Sequence, residues 1–100
     1  MVIHTVFFRC RSTATPDQID EVQSAIAGLV ERVPGVGRFQ SGGNVSPEAD
    51  SHGHGYDWGF VMTFPDLAAR DAYIAHPDYS AAAALVEPVV EAAMVFDIGA

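Results

Sequence analysis

One hundred residues, 49% of them hydrophobic and 18% charged, suit one domain with a core of its own. The net charge is −8 and the five basic residues are all arginine; such a chain repels phosphate backbones, which argues against nucleic acid and against polyanionic substrates. The single Cys10 excludes an intrachain disulfide. No apolar run approaches the roughly 20 residues of a membrane span, and residues 1–11 alternate where a secretion signal would be a block, so a soluble, cytoplasmic protein with no membrane partner is expected.

In chain order, Val2 to Arg11 is a predicted strand. Val2, His4, Val6, Phe8 and Cys10 share one face, and Ile3, Thr5, Phe7, Arg9 and Arg11 the other. A charge among Val and Phe is costly, so the His4 imidazole is expected to be neutral or hydrogen-bonded. Thr15-Pro16-Asp17-Gln18 spells a capping box with proline in the first turn. Ile19, Val22, Ile26, Leu29, Val30 and Val33 follow at helical spacing until Pro34-Gly35. Val36 to Val45 reads as a weaker, polar strand, and residues 46–55, SPEADSHGHG, as a turn-rich excursion.

Tyr56 to Phe64 is the next predicted strand, with Tyr56, Trp58, Phe60, Met62 and Phe64 on its large apolar face. Pro65 ends the ladder and Asp66 caps a helix over Leu67 to Ala75, which Pro77 stops. A short helix is expected over Ser80 to Val86, then a final strand over Ala92 to Ile98 in which Met94, Phe96 and Ile98 alternate with Ala93, Val95 and Asp97.

This β-α-β-β-α-β order predicts an α+β, ferredoxin-like fold: an antiparallel four-stranded sheet of order 4-1-3-2 with its helices on one face. The other face, expected to carry Ile3, Phe7, Val61 and Val95, has no helix to cover it. Two such faces packed together make a homodimer the expected state.

Four side chains carry most of the chemistry. His4, Tyr73, His76 and Tyr79 could converge between sheet and helices, where an imidazole takes a proton beside a carbonyl and phenols polarise it. Phe8, Trp58, Phe60 and His76 are the expected lining of such a ligand pocket. The competing structural reading makes His76 a helix cap and Tyr73 and Tyr79 core residues. His52 and His54 lie near Glu48, Asp50 and Asp57, but a loop offers no fixed geometry and no metal is expected. Cys10 is read as inert core, and Arg9 and Arg11 as cross-strand partners of Asp97 and Asp57. No phosphate-binding, flavin or haem motif suggests a cofactor.

His4 in the first strand, Pro34-Gly35, Asp57-Trp58-Gly59 leading into Phe64, Tyr73, His76-Pro77 and Phe96-Asp97 together resemble the stress-responsive A/B barrel (Dabb) family over almost the whole chain. The resemblance implies a dimeric α+β barrel. In a plant polyketide cyclase of that family, the catalytic pair is a first-strand histidine and the second histidine of a His-Pro-x-His motif, with a tyrosine on the preceding helix. It implies catalytic counterparts in His4 and Tyr73. The motif here is His76-Pro77-Asp78-Tyr79, so Tyr79 stands where the second catalytic histidine would be. A phenol is a poor base at neutral pH but donates to a carbonyl or enolate. The expected function is binding of a hydrophobic carbonyl compound, with polyketide cyclase or isomerase chemistry. The alternatives are a non-catalytic dimeric module that binds a ligand or partner under stress, and a cofactor-free monooxygenase.

Overall fold

The computed structural model describes all 100 residues. The elements are β1 (Val2–Cys10), α1 (Pro16–Arg32), β2 (Phe39–Gly43), α2 (Ala49–His52), β3 (Trp58–Phe64), α3 (Leu67–Ala75), α4 (Pro77–Val86) and β4 (Val90–Gly99). The strands form one antiparallel sheet, β2-β3-β1-β4, the order predicted.

Local chemistry fixes the helix ends. Thr15 Oγ1 accepts from the Gln18 N–H at 3.2 Å while Gln18 Oε1 accepts from the Thr15 N–H at 3.0 Å, so two orphan donors of α1 are satisfied. Val22, Ile26 and Leu29 form its buried stripe. Gly35, at φ 91°, takes the left-handed turn that follows α1 and that a side chain would oppose. Asp66 caps α3 by accepting from the Ala69 N–H at 2.8 Å.

The core lies between the helices and one face of the sheet. From β1 it takes Val2, His4, Val6 and Phe8; from β3, Trp58, Phe60, Met62 and Phe64. Tyr73 of α3 fills the space over Phe64 and is 2% exposed.

Several boundaries differ from the sequence reading. Helix α4 starts at Pro77, where Ser80 was expected, because the ring's fixed φ suits the first helical position. Strand β2 spans only Phe39–Gly43, and the 46–55 excursion contains one helical turn. Strand β3 starts at Trp58: Tyr56 leaves the alternation and lies 5.8 Å below the Arg9 guanidinium, outside the core.

Register corrects two further expectations. Val95 pairs with Val6 and so shares the helix-facing side. On the open face, β4 contributes Met94, Phe96 and Ile98, opposite Phe7, Thr5 and Ile3. Arg9 and Arg11 take other partners than Asp97 and Asp57: Arg9 Nε is 2.9 Å from Glu91, and Arg11 Nη2 is 3.8 Å from Glu87. Asp57 instead accepts from the Cys10 N–H at 3.3 Å.

Candidate functional site

A cavity of about 360 Å³ opens between the sheet, α1 and α4. Apolar side chains dominate its lining, and His4, Tyr73 and Tyr79 are among them. A larger hollow of about 720 Å³ lies on the opposite sheet face beside Phe7, Trp58 and Met94. It is bounded by β2 and by residues 44–46 and 52–54 as well as by the uncovered face. The smaller cavity is the better candidate because it unites a buried imidazole with two phenols.

Strand alternation turns His4 inward and leaves it 4% exposed. The β1–β4 register sets Asp97 directly opposite, with His4 Nδ1 at 2.6 Å from Asp97 Oδ1. An ionised carboxylate only accepts, so Nδ1 carries a proton, and in the neutral imidazole Nε2 then presents its lone pair. Arg70 of α3 reaches the other carboxylate oxygen, its Nε 3.2 Å from Asp97 Oδ2. Phe60, Phe64 and Tyr73 surround the imidazole with ring centroids at 6.1–6.2 Å.

Helices α3 and α4 deliver the phenols. Tyr79 meets Tyr73 edge-on at 5.3 Å. Burial first, and the neighbouring Tyr79 second, push the Tyr73 hydroxyl well above the usual tyrosine range, so it remains a neutral donor through ordinary pH. The turn between the helices is made by His76, which closes α3 and caps α4. Its Nδ1 accepts from the Asp78 N–H at 3.1 Å.

His4, Tyr73, Tyr79, Phe8 and Phe60 thus meet at one cavity. Trp58 and His76, both expected in the lining, are elsewhere. Trp58 stacks on Phe8 at 5.4 Å and borders the opposite hollow, while the His76 ring is used by its own turn. His52 and His54 are exposed, and the His54 carbonyl accepts from Arg9 Nη1 at 3.3 Å. Burial, aided by Asp57, pushes the Cys10 thiol up to about 11, which keeps it from acting as a thiolate near neutral pH.

Asp97 and Arg70 were missed as site residues. Alternation gave Asp97 a face, but only the register of two strands 93 residues apart makes it the partner of His4. The arrangement can abstract a proton at Nε2, hold the resulting imidazolium against Asp97, and donate hydrogen bonds from two phenols to a nearby oxygen.

Similar solved structures share the architecture. A protein from Arabidopsis thaliana is 27% identical, with 100% of this chain and 95% of that one covered at a TM-score of 0.90. A dimeric ferredoxin-like protein of unknown function from Thermobifida fusca is 26% identical, with coverage of 99% and 90% and a TM-score of 0.84. The hydroxynitrile lyase from Passiflora edulis is 23% identical, with coverage of 97% and 90% and a TM-score of 0.87. No protein of curated function matches the chain. The model of the stress responsive A/B barrel domain matches residues 2–100, and the chain therefore belongs to that family.

Proposed function

We propose that the protein binds a small hydrophobic carbonyl compound in the helix-side cavity and removes a proton next to its carbonyl, without a cofactor, as a step in cyclisation or isomerisation. The observation that carries this reading is the pairing of buried His4, at the cavity wall, with partly buried Asp97, 2.6 Å apart. A carboxylate on Nδ1 fixes the tautomer in which Nε2 is the base and stabilises the imidazolium formed when it takes the proton. The charge that develops on the carbonyl oxygen is met by Tyr79, with the neutral Tyr73 behind it. The apolar lining excludes water and favours a substrate without formal charge. A hydroxynitrile lyase of the same fold supports catalysis as something this scaffold can host.

We further propose that the working unit is a homodimer joined through the open sheet face. Structural relatives from Thermobifida fusca and Jannaschia are described as dimeric, at 26% and 29% identity.

The test needs no knowledge of the natural product. An apolar 1,3-dicarbonyl compound is incubated with protein in D₂O, and exchange of its α-protons is followed by NMR. The protein should accelerate exchange. His4→Ala should lose about 10²–10⁴ in rate, and Tyr79→Phe about 10²–10³. Exchange unchanged by His4→Ala would mean that His4 is not the base. Tight retention of the probe with no accelerated exchange would favour a binding protein.

A further inference from the structure

We propose that Arg70 is a positioning residue that sets the basicity of His4 by sharing the charge of Asp97; this rests on the reading of His4 as the base. The three groups form a line across three elements, β1, β4 and α3. His4 Nδ1 lies 2.6 Å from one oxygen of Asp97, and Arg70 Nε lies 3.2 Å from the other.

Arg70 occupies its place at a cost. Its Nε is fully buried and has no aligned hydrogen-bond acceptor, so the contact with Asp97 is an ion pair without hydrogen-bond geometry. Its Nη1 is 3.3 Å from Asp71, an exposed contact of little weight. The helix that carries Arg70 carries Tyr73 one turn later, and Tyr73 packs against the His4 ring. One helix therefore sets both the carboxylate behind the imidazole and a phenol beside it.

The charged and titratable groups that face His4 are few. Strand β4 offers Asp97, α3 offers Arg70 and Tyr73, and α4 offers Tyr79; Glu91 of β4 and Glu87 at the end of α4 also border the cavity, the first paired with Arg9 and the second near Arg11. From β3 the ring meets Phe60 and Phe64, and α1 contributes Ile26 and Leu29 to the same cavity. Asp97 unshared would hold an imidazolium firmly and leave His4 protonated over more of the pH range. The guanidinium offsets part of that charge, so the imidazole returns its proton more readily. A base that must turn over needs this balance.

The experiment reads His4 directly, with or without turnover. The imidazole is titrated by ¹⁵N-edited NMR in the parent, Arg70→Met, Arg70→Lys and Asp97→Asn. Removal of a cation one carboxylate away from the ring should move the His4 titration to higher pH by about one unit in Arg70→Met. Arg70→Lys, which keeps the charge, should stay close to the parent. Asp97→Asn should move the titration to lower pH. Where exchange of the 1,3-dicarbonyl probe is measurable, its acidic limb should shift with the NMR curve. Arg70→Gln replaces Arg70→Met if the latter fails to fold. An Arg70→Met or Arg70→Gln titration that coincides with the parent, or an equal shift in Arg70→Lys, overturns the proposal. Failure of the α-proton exchange alone overturns the reading of His4 as base and leaves this coupling standing.

Discussion

Tyr73 is the residue where burial and titration are most tightly linked. It is 2% exposed and its hydroxyl ionises well above the usual tyrosine range, chiefly because burial disfavours the phenolate. An unfolded tyrosine ionises near pH 10. Above that pH the unfolded chain has lost a proton that the native state keeps, so stability is intact below about pH 10 and falls as pH rises. Cys10 acts in the same direction, its thiol pushed up to about 11 by burial and by Asp57, more weakly because it is only partly buried. In a Cys10→Ser background, urea midpoints should therefore decline above pH 10, and Tyr73→Phe should flatten the decline. A slope that survives Tyr73→Phe would refute the assignment. Residue-scale legibility in the sequence was uneven for a physical reason. The inward face of His4 follows from alternation along one strand. Its partner Asp97 depends on how two distant strands slide past each other, which alternation does not specify.

The two helices after β3 show how one residue can serve two elements. Proline at 77 drives His76 out of the helical region, to φ −65° and ψ 138°. The same proline is preorganised to start α4. His76, left between them, closes α3 with its backbone and caps α4 with Nδ1. His76→Ala should cost about 1 kcal/mol, and His76→Asn, which keeps a capping acceptor, much less. Thermal or urea unfolding checks both, and α-proton exchange should persist in the folded variants because the imidazole is not in the cavity. Loss of exchange in a stable His76→Asn protein would return His76 to the candidate site. Elements with strong local codes were legible: the capping box of α1, the alternation of β3, the Asp66 cap of α3. Those that rest on neighbours were not. Strand β2 has a polar, glycine-rich sequence and forms only where β3 pairs with it, over Phe39 to Gly43. Helix α4 begins earlier than Ser80 because Pro77 serves as a start as well as a stop.

At the scale of the molecule, the sheet has one face under helices and one without cover. Phe7, Met94, Phe96 and Ile98 are 40%, 42%, 62% and 43% exposed, and all stand on the open side. Gly59 contributes by its lack of a side chain: a Cβ there would sit 2.6 Å from Phe7 Cδ1 and 2.9 Å from the Val6 carbonyl. The Phe7 ring can therefore lie down on the sheet and flatten the surface. A flat apolar face is what a second copy can cover, and a stable dimer buries roughly 800 Å² on each partner. Sedimentation at micromolar concentration should show two subunits. Phe96→Glu or Phe7→Glu should give monomers, because an unpaired carboxylate would be buried at the centre of the interface. Leu67→Glu is the control, since Leu67 is 59% exposed on α3 and away from this face; it should leave the dimer intact. The cavity of His4 opens on the helix side, so a folded Phe96→Glu monomer should still bind the apolar dicarbonyl probe. A parent protein that sediments as a stable monomer, or a Phe96→Glu protein that remains dimeric, would rule out the open sheet face as the dimer interface.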